Sequence, residues 1–323
     1  MRVLDQNDRL NRGTVAATIG MFDGVHLGHA TLISTLKQQA TVRNLQSAVI
    51  TFRQHPQIVL NPDSDLRTIL NLDDRIEEIG NLSPDFTVLL DFTRQLAQLN
   101  SSDFIKLLRD NYGVALLVMG YNHHFGHDTS ESFADYVRQG DELGVEVIKA
   151  PEYLGEFSPV SSSIIRRLIT AGKVNDANDC MGRPFTISGT VVHGFHNGST
   201  IGFPTANIGN VDPALILPHN GAYAVNVIID HQRRQGMVNL GYRPTVTNGS
   251  KLTIEVNIFD FNDDIYGKPI TLEFIRFLRL EFKLESIDEL KAQLTSDRQK
   301  AIEILDEYNK NHKHLNNGNH QFM

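Results

Sequence analysis

The chain has 323 residues, 41% of them hydrophobic and 21% charged, which excludes a disordered or fibrous polymer and predicts two domains with a core each. A formal net charge of −8 and a pI near 5.9 argue against duplex nucleic acid as the main partner, though not against nucleotides, whose phosphates bind backbone N–H groups. One cysteine, Cys180, excludes an intramolecular disulfide framework and a Cys-rich zinc site; no apolar run nears the ~18 residues of a membrane span, the polar start has no signal-peptide core, and a cytoplasmic protein is expected.

The first half alternates strands and helices. Val15–Ile19 reads as a short strand ending at Gly20, and Ala30–Val42 as a helix on the spacing of Leu32, Ile33 and Leu36. Further strands are expected at Ala48–Phe52, Phe86–Leu90, Ala115–Met119 and Val145–Ala150, with a helix at Asp103–Tyr112. This alternation implies an α/β fold with a parallel sheet wrapped by helices. Ligands of such sheets bind beyond the carboxyl ends of the strands, so chemistry is expected in the loops after Ile19, Phe52 and Met119.

The pattern changes near Gly182. Short helices at Ile164–Ala171, preceded by serines and ended by Gly172, and at Val174–Met181 lead up to it, and Cys180 reads as a core residue there. Beyond it, β-rich runs at Phe185–His193, Ala222–Ile229, Gln235–Leu240, Lys251–Phe261 and Ile270–Phe277 follow one another without helices. That is the signature of an antiparallel barrel or sandwich. A capping box from Ser286 to Glu289 opens a last helix that runs to about Tyr308. The expected organisation is a first domain over 1–182, a second over 183–310, and a polar, mobile tail over 311–323.

Two constellations carry the chemistry. In Gly20–His29, GMFDGVHLGH, Gly20 keeps side-chain bulk away from a phosphate, and His26 and His29 lie three residues apart at a helix start with Gly28 between them. Two imidazoles there suit negative charge developing on phosphorus, where helix dipole and N–H donors point the same way. The plain alternative is a pair of capping histidines; a zinc site lacks an evident third ligand. Downstream, Ser162, Ser163 and Arg166 open another helix and can hold a triphosphate, and Asn122, after a strand, offers a phosphate or ribose contact or simply a turn.

The second constellation runs from His193 to Asn207. Gly194, Gly198 and Gly202 permit a loop that wraps phosphates, although no Walker A lysine is present. Thr205 and Asn207, two apart in an extended segment, point to one side and can share a magnesium ion or a phosphate. In LTIEVNIFDF, Glu255 lies on the polar face of an alternating strand, either an ordinary solvated carboxylate or a base toward a hydroxyl attacking ATP.

GMFDGVHLGH, TFRQHP, GYNHHFG and VSSSIIR fall in the order and spacing of the bacterial bifunctional riboflavin kinase/FAD synthetase family, which the chain resembles over roughly 14–182. GRPFTISGTVVHG, GFPTAN, GAYAVNV, NLGYRPT, IEVNIFDF, YGKPITLEF and LRLEFKLESIDEL extend the resemblance over about 182–308. It implies a Rossmann-like nucleotidyltransferase domain followed by a Greek-key barrel with a C-terminal helix. The implied reactions are riboflavin to FMN and FMN to FAD, each consuming ATP with Mg2+.

By the same resemblance, His26 and His29 stabilise the adenylyl transition state. Asn122, Ser162, Ser163 and Arg166 hold phosphates, while Phe22, Asp23 and Gly24 shape the ATP pocket. Pro204, Thr205 and Asn207 bind Mg·ATP in the kinase, Glu255 is its base, and the loop of Arg279 and Glu281 closes over the flavin. The chain departs from the family pattern at Met21, Arg53–Gln54, His123–His124, Ser163 and Leu280. Two alternatives stand beside this reading: a nucleotidyltransferase with another acceptor, which has no need of the second half, and a flavin-binding protein without catalysis, which has no need of intact His26, His29, Thr205, Asn207 and Glu255.

Overall fold

The computed structural model describes residues 1–122, 125–126, 131–194, 202–244, 250–281 and 286–312, with the side chains of 242–244 and 250–251 outside the description. Gly198, the His123–His124 pair and the tail beyond 312 lie outside the described residues. Two compact units result, Met1–Ser162 and a second beginning at Ser163. The expected boundary at 182 lies two helices further along.

The first unit runs β1 (Arg2–Asp5), β2 (Val15–Ile19), α1 (Leu27–Val42), β3 (Gln46–Phe52), α2 (Pro56–Leu60), α3 (Leu72–Asn81), β4 (Phe86–Leu90), α4 (Arg94–Ala97), α5 (Ser101–Tyr112), β5 (Val114–Met119), α6 (Phe133–Leu143) and β6 (Glu146–Lys149). Its strands form one sheet in the order β1-β4-β3-β2-β5-β6, parallel at every pairing. The five strands expected here are all present. β2 is buried at every position, as a strand covered on both faces must be. α1 turns Leu32, Ile33, Leu36 and Ala40 inward.

The order of connection reverses beside β2: the chain moves outward through β3 and β4, then returns to β5 on the other flank. This is the switch point at which open α/β sheets bind ligands, and the loops after β2 and β5 border it.

At the start of the second unit come α7 (Ser162–Thr170) and α8 (Val174–Met181), then β7 (Phe185–Val192), β8 (Ala206–Gly209), β9 (Gly221–Ile229), β10 (Gln232–Pro244), β11 (Ser250–Ile258), β12 (Pro269–Arg279) and α9 (Ile287–Asn311). The strands close into an antiparallel barrel in the order β10-β11-β8-β7-β12-β9. Phe185, Ile187, Val227, Leu240, Val256, Leu272 and Phe274 fill it and are almost wholly buried.

α8 is tied to the barrel by Asn178, whose Nδ2 donates to the Phe274 carbonyl at 2.8 Å while its Oδ1 accepts from Phe185 N at 2.7 Å. Cys180 is buried, as expected, and burial raises its thiol pKa, which removes it as a nucleophile. The last helix begins as its capping box requires, with Ser286 Oγ accepting from Glu289 N at 3.2 Å. α9 lays Ala301 and Leu305 on the outer barrel residues Ala224, Met237 and Ile275.

Candidate active sites

The loop from Gly20 to His26 is held in an unusual backbone. Phe22 and Val25 have φ of 52° and 37°, a left-handed conformation that costs non-glycine residues roughly 1–2 kcal/mol each. Burial of both side chains offsets that cost. At Gly24 φ is 85°, and a Cβ would lie 2.9 Å from Ile69 Cδ1, so glycine is required on both counts. Asp23 is buried, with Oδ1 accepting from Ile69 N at 2.8 Å and Leu70 N at 3.3 Å. Its main-chain carbonyl accepts the Ser162 hydroxyl at 2.8 Å. Asp23 and Ser162 therefore both brace the loop.

His26 is the N-cap of α1, and its Nδ1 accepts from His29 N at 3.3 Å. An accepting Nδ1 puts the proton of a neutral imidazole on Nε2, so the capping bond also fixes the tautomer. The His26 and His29 rings stack with centroids 3.6 Å apart and planes 15° from parallel, and Phe22 packs on His29 at 5.1 Å. A Cβ at Gly28 would lie 3.2 Å from the His26 ring, a tight contact that glycine avoids. His26 thus caps α1, as the plain alternative expected. Ser163, exposed, and Arg166, half-buried, follow Ser162 on α7, while Asn122 is exposed in the turn after β5.

A cavity of about 680 Å³ opens beside Gly20 and Met21. Phe52, Phe92, Phe104 and Phe125 wall it, and His55 and Arg94 contribute cationic or polar edges. Sequence reasoning placed chemistry after Phe52 but not this cavity, whose walls come from four separate segments. It also missed Arg75, which is 1% exposed on α3. Its guanidinium donates to the Phe52 carbonyl and to Met21 Sδ, the latter at 3.3 Å. Burial lowers its pKa to about 10, opposed by the nearby Asp23 carboxylate. One side chain thereby joins the loops after β2 and β3. Arg53, a departure from the family pattern, pairs with Asp5 and with Asp91, which accounts for it as a surface tie.

In the barrel, register assembles the second site. Glu255 on β11 lies opposite Asn207 on β8 and opposite Asn239 on β10. Thr205 Oγ1 donates to Glu255 Oε2 at 3.5 Å. Asn257, two residues along β11, holds the Thr205 turn by donating to the Pro204 carbonyl at 2.7 Å. Gly194 makes room for the Asn207 amide, which a Cβ there would overlap. Gly202 has φ 84° in the turn that leads to Pro204. A cavity of about 200 Å³ lies alongside, lined by Val191, Pro204, Thr205, Phe261, Asp264 and Tyr266. The His193 ring stacks on Tyr266 with centroids 4.0 Å apart.

Across the barrel, Arg279 Nε donates to Asp297 Oδ2 at 2.8 Å, and Asn239 Nδ2 donates to Glu281 Oε1 at 2.7 Å. Among the described residues no group of three or more His, Cys, Asp or Glu could hold a metal. The hydroxyl and amide oxygens of Thr205 and Asn207 are of the hard type that suits a magnesium ion which keeps waters and phosphate oxygens.

A parallel sheet with stacked histidines at a helix start by its switch point, and a closed barrel that brings Thr205, Asn207 and Glu255 together, fit the class of nucleotide-handling transferases. The FAD synthetase family model matches residues 8–164 and the riboflavin kinase model residues 181–305. Bifunctional riboflavin kinase/FMN adenylyltransferases of Listeria monocytogenes and Bacillus subtilis are 37% and 36% identical, over 87% and 88% of this chain and 89% and 90% of theirs. The chain belongs to the bifunctional riboflavin kinase/FMN adenylyltransferase family, as the motif resemblance anticipated. A crystal structure described as a macrolide-efflux protein from Streptococcus pneumoniae superposes with a TM-score of 0.82 at 32% identity, covering 93% of this chain and 98% of that one. That name belongs to that protein. Among the described residues of this chain, no helix is long and apolar enough to cross a membrane.

Proposed function

We propose that the barrel unit transfers the γ-phosphoryl group of ATP to riboflavin, giving FMN and ADP, and that the parallel-sheet unit transfers AMP from a second ATP to FMN, giving FAD and pyrophosphate. The observation that carries this is the pairing of each family model with its own constellation: His26 and His29 within the FAD synthetase match, and Thr205, Asn207 and Glu255 within the riboflavin kinase match.

In the kinase step, Glu255 takes the proton of the terminal ribityl hydroxyl as its oxygen attacks the γ-phosphorus and ADP leaves. Thr205 and Asn207 would hold a magnesium ion together with the ATP phosphates, and such an ion would supply charge neutralisation there. Gly194, which leaves room for the Asn207 amide, and Gly202, with φ 84°, flank the phosphate-side loop. Arg279 and Glu281 contact the flavin.

In the adenylyl step an FMN phosphate oxygen attacks the α-phosphorus and pyrophosphate leaves, with no protein nucleophile. His26 and His29 donate to the oxygens on which charge builds; one such donor is worth roughly a hundred- to a thousandfold in rate. Asn122, Ser163 and Arg166 serve the phosphates. The four phenylalanines of the larger cavity suit a planar, largely apolar ring system such as isoalloxazine. The partners are small molecules, and a cytoplasmic location is supported by the single buried cysteine.

The test follows FMN and FAD by chromatography after mixing the chain with riboflavin, ATP and Mg2+. His29→Ala is expected to spare FMN and suppress FAD, and Glu255→Gln to suppress FMN from riboflavin while FAD still forms from added FMN. Loss of both products in His29→Ala would sink the two-site reading, and undiminished FMN in Glu255→Gln would remove the base assignment.

A further inference from the structure

Glu255, the proposed base, and Glu281, on the proposed flavin side, are joined by one residue to which nothing above gives a role. Asn239 lies directly opposite Glu255 between β10 and β11, and directly opposite Ala222 between β10 and β9. Residues so paired in an antiparallel ladder share a face, with Cβ atoms about 4.5–5.5 Å apart. Ala222 is in turn opposite Arg279 between β9 and β12. One transverse row therefore runs Asn207, Glu255, Asn239, Ala222, Arg279 across five strands, from the ATP-side turn to the flavin-side loop.

Two independent features seat the Glu281 carboxylate on this row. Asn239 Nδ2 donates to its Oε1 at 2.7 Å. Gly241, two residues further along the same face of β10, is bare where a Cβ would collide with that carboxylate. The small side chain of Ala222 flanks the same place. Asn239 thus presents a neutral amide between two carboxylates, binding one while standing beside the other.

We infer that Asn239 is a positioning residue of the kinase, which docks the Arg279–Glu281 loop against the strand neighbouring the base and so registers riboflavin's hydroxyl on Glu255. This rests on the assignments of Glu255 and Glu281 proposed above. An ordinary polar residue on an outer strand face would leave substrate affinity untouched; a docking residue acts through Glu281 alone.

The experiment uses the full chain with riboflavin and Mg·ATP. Asn239→Ala is expected to raise KM for riboflavin roughly tenfold, the weight of a hydrogen bond to a charged group, with KM for ATP little changed. The double variant Asn239→Ala/Glu281→Gln is expected to lose no more than the worse single variant. Asn239→Asp, isosteric and therefore safe for barrel packing, replaces the donor by a third carboxylate and is expected to be at least as impaired as the alanine variant. FAD formation from added FMN reports on the other unit and stays at the wild-type rate.

An unchanged riboflavin KM in both Asn239 variants, or losses that multiply in the double variant, overturns the inference. Full phosphorylation by Glu255→Gln overturns the base assignment and this inference with it. Glu255→Gln inactive beside wild-type Asn239 variants overturns the role of Asn239 alone.

Discussion

His26 and Arg75 illustrate opposite kinds of legibility at the scale of single residues. The spacing of His26, Gly28 and His29 announces itself in the sequence, and the stacked rings with a capped Nδ1 are what that spacing builds on a helix start. Arg75 sits in an unremarkable acidic stretch, LDDRIEE, where an arginine reads as solvated. Its partners are a main-chain carbonyl, a thioether and the field of Asp23, none of which leaves a sequence signature. Arg75→Met would leave the Phe52 carbonyl without its donor in a buried setting, a cost of about 1–3 kcal/mol. The expected outcome is a lower thermal midpoint for the parallel-sheet unit and impaired FAD formation, with riboflavin phosphorylation unaffected; Arg75→Lys, which keeps charge and a donor, is expected to recover part of both. Calorimetry and product chromatography on the same samples check this.

Elements were legible where a face repeats and obscure where tertiary contacts define them. The five parallel strands, α1 and α8 carry their own pattern, and α9 is marked by its capping box. β8 is only four residues long and exists because Asn207 and Ala206 pair with β11 and Ile208 with β7. β1 lies in the polar start of the chain, and Leu4 alone is buried in it. α6 carries Gly140, a poor helix former, in its interior. The reason for that glycine is packing: a Cβ at Gly140 would lie 2.5 Å from the Val145 carbonyl oxygen and from Val147 Cγ2. Helix propensity favours Gly140→Ala by about 1 kcal/mol, whereas overpacking against fixed backbone costs about 1–3 kcal/mol. A net loss of stability is therefore expected in denaturant unfolding, with no change in denaturant sensitivity (m).

For the whole molecule, alternation predicted a parallel sheet and strand succession predicted a barrel or sandwich, and both classes are present. The order of strands, and hence the switch point beside β2 and the row across the barrel, depends on pairings between distant segments that local pattern does not encode. Each unit also buries tyrosine. In the first, burial pushes the Tyr112 phenol up to about 12, with its hydroxyl donating to the Gln6 carbonyl at 2.9 Å. In the second, burial raises Tyr223 and Tyr308 as well. A phenol whose folded pKa exceeds its ordinary 10.0 contributes stability that is intact below pH 10 and lost as pH rises toward the folded value. These three are expected to ionise late. Tyrosinate absorbance in an alkaline titration should show a second, unfolding-linked step, which denaturant abolishes.

Closure of the barrel bears on self-association as well as on catalysis. Each of its six strands has a hydrogen-bonded neighbour on both sides, so this ring of described strands has no edge strand. The parallel sheet, being open, ends at β1 and β6. Both are four residues long and carry charge at their ends, Arg2 and Asp5 on one and Glu146 and Lys149 on the other, with Glu146 further engaged by Arg43 at 2.7 Å. Short, charged borders make poor templates for a foreign strand. Among the strands described here, resistance to edge-to-edge aggregation is thus met by topology in one half of the chain and by border chemistry in the other.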